Sequence, residues 1–254
     1  VTGPGNAFVA AAKKLVSGDV GIDMIAGPSE VCVVADETAD PSMVAIDLMA
    51  QAEHDPLAAC YLVTFSDAYA DAVEAAIADH MERSTRADIT RASLDDHGLI
   101  VVCPTMEQAL EAVNVIAPEH LEMHVANAME HLGAIRNAGA IFLGEWTPEA
   151  VGDYVAGPNH TLPTGGTARY SSPLAVDDFV KKSSVIQYTA AALRNDARSV
   201  VQIATHEGLW AHAQSVALRL QSLLAAEQTS VAGGSAAAGV DAGAGATAAG
   251  SADE

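Results

Sequence analysis

Short apolar runs recur along the first half of this chain at intervals that leave room for a helix between most neighbours, and this alternation narrows the fold more than any other feature. The runs are Val31–Ala35, Ala59–Phe65, Leu99–Cys103 and Ala140–Leu143, with a shorter one at Ile22–Ile25 before the turn-rich AGPSE. Helical spacing predicts helices over 41–54, 68–83, 106–115 and 126–138. In the first of these Val44, Leu48 and Gln51 share a face, Pro41 sits near the start, and Pro56 closes the far end. The APEHLEMHV stretch is left as a short segment of its own. Parallel neighbours need a crossover, so strands alternating with helices predict an α/β fold with a Rossmann-like, mostly parallel sheet.

The chain opens at Val1 and runs at once into TGPGNAF, which reads as a strand-to-helix loop. A helix is predicted over Phe8–Val16, with Phe8, Ala12, Leu15 and Val16 on one side. A chain that begins on such a loop lacks the preceding strand, so a fragment of a longer protein is expected. After Gly144 comes GEWTPEAVGDYVAGPNHTLPTGGTARYSS, a turn-rich stretch too long for an idle connection and of the kind that builds active sites. Helical character returns from Val176 to about Ala226, with Leu209, Ala213, Val216 and Leu220 marking one face. From Gln228 to Glu254 the sequence is nearly all Ala, Gly, Ser, Thr and acid, and a disordered tail is expected there.

Twelve Lys and Arg stand against 33 Asp and Glu, a net charge of −21, which argues against nucleic acid or an anionic membrane as partner. No apolar run reaches the roughly 18 residues of a membrane span, and no signal peptide opens the chain, so a soluble, cytoplasmic protein is expected. The acidity reads either as a halophile-like surface suited to a salt-rich cytoplasm or as an ordinary acidic one. Cys32, Cys60 and Cys103 form no CxxC pair and lie in or beside apolar runs, so they read as buried apolar groups in a reducing compartment.

Several residues could carry chemistry. Gln51 and His54, three apart on a predicted helix, project to one side and could hold a divalent metal, although a solvated helix-end His is commoner. Glu119 and His120 could supply a base and a proton shuttle, or simply form the first turn of a helix, where an acid favours the dipole. Asp153 and His160 lie in a glycine-rich loop, where Asp also serves turns. Glu207 and His212 lie in HEGLWAH, beside His206. None of these is decisive singly, and His124 receives no role.

Taken together, GPGNAFV, AGPSE, DLMAQAEHDP, APEHLE, FLGEWTPEAVGDYVAGPNHTLPT and EGLWAHAQSVALRL, in this order, resemble the histidinol dehydrogenase family from Val1 to about Leu224. The resemblance implies a zinc- and NAD-dependent oxidation of L-histidinol to L-histidine through L-histidinaldehyde, the last steps of histidine biosynthesis. It implies one zinc per subunit, held by Gln51, His54, Asp153 and His212, and two NAD molecules used in turn. Glu119 and His120 become the acid/base pair. Ser29, Gln51, His54, His120, Asp153, His160, Glu207 and His212 become substrate contacts, and Asn6 becomes a nucleotide contact. Glu207 and His212 would reach across a homodimer interface into the other subunit's site.

By the same resemblance, 1–29 is the end of a truncated NAD-binding domain and 30–175 the zinc and substrate domain. Residues 176–227 form a helical dimerisation segment, and 228–254 a tail outside the family pattern. Without the resemblance, the same residue types also serve a zinc hydrolase in which Glu119 activates water, and a non-catalytic assembly module is a third reading.

Overall fold

Strands β1 (Glu30–Ala35), β2 (Ala59–Thr64), β3 (Gly98–Val102), β4 (His120–His124) and β5 (Ala140–Leu143) pair side by side, all parallel, in the order β3-β2-β1-β4-β5. The structure is a computed structural model that describes residues 1–3 and 5–237; it divides into two units, Val1–Lys181 and the chain from Lys182 onward. Helices α1 (Ala7–Val16), α2 (Pro41–Ala52), α3 (Asp67–Met81), α4 (Ala87–His97), α5 (Met106–Ile116), α6 (Ala128–His131) and α7 (Glu149–Tyr154) belong to the first unit. This is the α/β, parallel-sheet fold that the alternation predicts.

Local chemistry starts the helices where the sequence indicates. Asp40 accepts the Ser42 N–H, with Pro41 in the first turn of α2, and Ser66 and Thr105 cap α3 and α5 in the same manner. The pleat then sorts side chains by face. Val31, Val33, Ala35, Cys60 and Leu62 pack against Val44, Leu48 and Ala52 of α2 and Tyr69 and Val73 of α3. Cys32, Val34, Val63, Leu121 and Met123 point the other way, onto Ala109, Leu110 and Val113 of α5. The three cysteines are free and buried, and burial pushes the Cys60 thiol up to about 12, as expected of apolar packing groups.

Several expectations need correction. APEHLEMHV is not a stray segment or a helical turn: its core is β4, inserted between β1 and β5. The helix expected over 126–138 shrinks to α6 and a 3₁₀ turn at Leu132–Ala134. The Asn114 side chain ends it by taking the Arg136 and Asn137 N–H groups on Oδ1 and donating to the Ala134 carbonyl. Ile22–Ile25 is no strand, because Asp23 accepts the Gly3 and Met24 N–H groups and pairs with Lys13 Nζ at 2.7 Å. Burial works against that carboxylate, but the bond to Lys13 and the two N–H groups hold it at about 2. Finally, α4 was not foreseen, and the Phe8 and Leu15 side of α1 is exposed.

In the second unit α8 (Ala190–His206) and α9 (Trp210–Ala237) pack against each other as a helical hairpin. The turn between them uses Gly208 at φ +74°, and Thr189 caps α8. The continuous helical character expected from Val176 therefore begins at Ala190; before it lie only a 3₁₀ turn at Val176–Phe179 and irregular backbone. Gln228, expected to open a disordered tail, instead lies within α9; residues 238–254 of that expected tail lie outside the described residues. Among the described residues no helix is long and apolar enough to cross a membrane.

Candidate active site

All five residues of β4 are buried, and its pleat sends His120, Glu122 and His124 to one face and Leu121 and Met123 to the other. Ala117 ends α5 in the left-handed region, at φ 54°, and Pro118 follows, so the chain enters β4 with Glu119 and His120 at the strand's amino end. His120 Nδ1 lies 3.1 Å from the Glu30 carbonyl oxygen. A carbonyl only accepts, so the proton resides on Nδ1 and Nε2 keeps its lone pair. That Nε2 is buried, lacks a hydrogen-bond partner, and stands 3.9 Å from Asp153 Oδ1. Burial also lowers the basicity of His120, outweighing the Glu30 carbonyl and the Asp153 and Glu122 charges, which favours the neutral ring.

Two more carboxylates crowd the same imidazole. Glu119 Oε2 is 3.8 Å and Glu149 Oε1 3.6 Å from Nδ1. Burial pushes Glu119 up to about 8, although the Glu30 N–H, donating to Oε2 at 3.0 Å, and the Ser29 side chain pull the other way. Burial likewise pushes Glu149 up to about 9, helped by the charges of Asp153, Glu122 and Glu119.

Beside them opens a cavity of about 330 Å³ whose wall includes His120, Phe142, Asp153, Asn159, His160 and Leu162. Two glycines in its wall lie too close to their neighbours for a side chain. A Cβ on Gly152 would come within 2.6 Å of the Phe142 ring, and one on Gly139 within 2.6 Å of the Glu119 carbonyl oxygen.

A cation would find donors here. His54, Glu149 and Asp153 bring one ligand atom each to within 4.8 Å of one another. Gln51 Oε1 and Glu149 Oε2 are buried with no hydrogen-bond partner, and the His54 N–H donates to the Gln51 carbonyl at 3.2 Å. Imidazole nitrogen with carboxylate and amide oxygen is a donor set that suits zinc, and orphaned buried oxygens are what such an ion would satisfy.

Of the residues singled out in the sequence, the first unit gathers His54, Asp153, Glu119, His120 and His160 by these contacts and cavity walls, and buries Gln51 on the adjoining end of α2. Ser29 lies half-buried just before β1. Asn6 is engaged as the cap of α1, accepting the Phe8 and Val9 N–H groups. Glu207 and His212 belong to the second unit, Glu207 closing α8 and His212 exposed in the first turn of α9. Sequence reasoning missed Glu149, Glu30 and Glu122. Glu149 precedes Asp153 by four residues, one helical turn, and the period-2 pattern of HLEMH marks a strand that carries Glu122 on the His120 face; both signals were available.

In open parallel sheets with this strand order, ligands ordinarily sit beyond the carboxyl ends at the point where the order reverses, here between β1 and β4. The candidate site lies at the opposite edge. Glu30, Glu119, His120, Gly139 and His54 all lie at or just before the amino ends of their strands. At the carboxyl ends Asp36 closes the crevice, its carboxylate accepting the Ala126 N–H at 2.8 Å.

The histidinol dehydrogenase family model matches residues 1–220. Histidinol dehydrogenase of Geobacter sulfurreducens is 53% identical over 221 residues, 87% of this chain and 52% of that protein. That of Bacillus subtilis is 55% identical over 219 residues, 86% of this chain and 51% of its own length. The crystal structure of histidinol dehydrogenase from Elizabethkingia anophelis matches with a TM-score of 0.83 at 37% identity, covering 87% of this chain and 51% of that one. This chain thus spans about half the length of the curated relatives it matches. With the parallel sheet, the Glu119–His120 pair and the match over residues 1–220, the chain belongs to the histidinol dehydrogenase family.

Proposed function

We propose that this chain carries the zinc and substrate machinery of an NAD-dependent histidinol dehydrogenase, which oxidises L-histidinol to L-histidine through L-histidinaldehyde. The observation that carries this reading is the His120 ring: Nδ1 is tied to a backbone carbonyl, and Nε2 is a buried, unpartnered base beside a cavity. A base so fixed takes the alcohol proton at Nε2 as a hydride leaves the carbinol carbon for NAD. Glu119, whose proton affinity lies near neutrality, accepts a proton from the water that hydrates the aldehyde. His120, having returned its proton to the aldehyde oxygen as the water adds, then takes the hydroxyl proton of the hydrated aldehyde as the second hydride leaves.

Gln51, His54 and Asp153, completed by His212 of a second copy, would hold zinc, which when bound anchors the substrate's amine and imidazole nitrogens. Ser29, His160 and Glu207 would contact the substrate, Glu207 also coming from the second copy of a homodimer, and Asn6 the nucleotide. In this reading 1–29 ends a nucleotide domain, 30–175 is the zinc and substrate domain, and 176–227 makes the dimer.

The experiment is NADH formation followed by absorbance on adding L-histidinol to the protein supplied with zinc and excess NAD, in low and high salt. Two NADH per histidinol is the expected result. Zinc-dependent ester or amide hydrolysis with no NADH would replace the dehydrogenase by a hydrolase, and silence in both assays would leave only a binding module.

A further inference from the structure

Glu122 has no part in the chemistry above, yet it is wholly buried at the centre of β4. Its Oε1 accepts the Glu149 N–H at 2.6 Å. Its Oε2 meets His124 Nε2 at 3.1 Å, and the same Nε2 lies 3.7 Å from Asp47 Oδ2. Asp47 is on α2, one turn before Gln51, and Glu149 opens α7, one turn before Asp153. One carboxylate therefore links the three elements that deliver the site: α2 with Gln51 and, just past its end, His54; β4 with His120; and α7 with Glu149 and Asp153.

Helix α7 needs such a link. It has only six residues, Pro148 before it offers no capping side chain, and the turn-rich stretch follows it. A helix this short is not stable on its own account.

We propose that Glu122 is a positioning residue that fixes α7 against β4 and α2, and so sets where Asp153 meets His54, with His124 and Asp47 as the far end of the tether. This rests on the reading of His54 and Asp153 as cation ligands given above. Outer groups that orient ligands in this way typically govern metal affinity by about 10–100-fold. The Asp47–His124–Glu122 cluster is not itself assigned an ion, because both Glu122 oxygens are already engaged.

Two measurements test the proposal on Glu122→Gln and Glu122→Ala, at a temperature where circular dichroism shows both folded. The first is amide hydrogen exchange of peptides covering 149–154 and, as control, β1, with no metal added. The second is zinc affinity by competition with a chromophoric chelator. Glutamine keeps the bond to α7, its carbonyl accepting the Glu149 N–H, and holds His124 only in the other tautomer, with its NH₂ donating to a deprotonated Nε2. It should therefore leave α7 protection and zinc affinity within about threefold of wild type. Alanine should speed exchange in 149–154 and weaken zinc by about tenfold or more, with β1 unchanged.

If Glu122→Ala does not fold, His124→Ala replaces it, with faster α7 exchange and unaltered β1 expected. Wild-type protection of α7 in whichever alanine variant folds would overturn the proposal. So would two zinc ions per chain with the second lost in Asp47→Asn, since the triad would then be a metal site. Loss of α7 protection in a protein whose wild type binds no zinc supports the positioning role and overturns the metal reading instead.

Discussion

Strands β1 and β4 run side by side in register, yet on the same face they are opposites. Val31, Val33 and Ala35 of β1 stand next to His120, Glu122 and His124 of β4, partner by partner. The β1 stripe needs only shape: α2 and α3 cover it with aliphatic and aromatic carbon, and desolvation stabilises the contact without further partners. Every polar group on the β4 stripe must instead find a partner, or persist as an orphan that a ligand can satisfy. It therefore recruits the Glu30 carbonyl, the Glu149 N–H and Asp47 from other elements. One strand supplies dry packing, and its neighbour supplies polar groups that depend on other elements for their partners.

The largest effect comes from writing the chemistry of β4 onto β1. Val33→Asp places a carboxylate beside Glu122 with no donor to meet it, and an unpaired buried charge of this kind costs about 3–5 kcal/mol. Urea denaturation should show the domain unfolded or close to it; a midpoint near wild type would mean that the β1 stripe is less dry than described.

Next comes removal of the base. His120→Asn should slow turnover of histidinol by about 10²–10⁴-fold while zinc content stays at the wild-type level, because a proton acceptor and not a ligand is lost. Loss of zinc with activity would move His120 into the ligand set.

The pH dependence of stability is a third test. Glu119 titrates at about 8 in the fold against 4.5 as a free side chain, so its contribution is full below about pH 4.5 and is lost as pH rises towards 8. Metal-free protein should thus be less stable at pH 8.5 than at pH 5, with a Glu119 share on the order of a few kcal/mol. Glu119→Gln should flatten that slope in denaturant titrations at the two pH values, and an unchanged slope would assign the loss to other groups.

The smallest change softens the apolar stripe at its end. Thr64 is buried and donates from Oγ1 to the Ala35 carbonyl at 2.9 Å. Thr64→Val should cost about 1 kcal/mol in the same assay, leaving site chemistry untouched.

How legible each region was follows from this contrast. The β1, β2, β3 and β5 runs are apolar, and their strands lie within a residue or two of where the pattern places them. β4 was easy to overlook as a strand because its inward positions are His and Glu, so that its period-2 alternation rests on two apolar positions only, Leu121 and Met123. The 126–138 segment misled for a related reason: periodicity cannot see the Asn114 side chain that competes for its backbone. Site residues fared better in motifs than in spacing. Gln51, His54 and Asp153 were named, whereas Glu149 was overlooked inside the same TPEAVGDY run because no single motif position announces burial.

Building the site at the amino edge also determines which parts of the surface can be rewritten. The segments that enter β1, β2, β4 and β5 carry Ser29, His54, Glu119 and Gly139, so an added residue there would shift the side chains of the proposed site. The turns that leave β2 and β3, at 65–66 and 103–105, lie at the opposite edge. A fluorophore or an affinity handle at the exposed Pro104 would leave the candidate site its shape, provided that Ser66 and Thr105 keep their caps on α3 and α5.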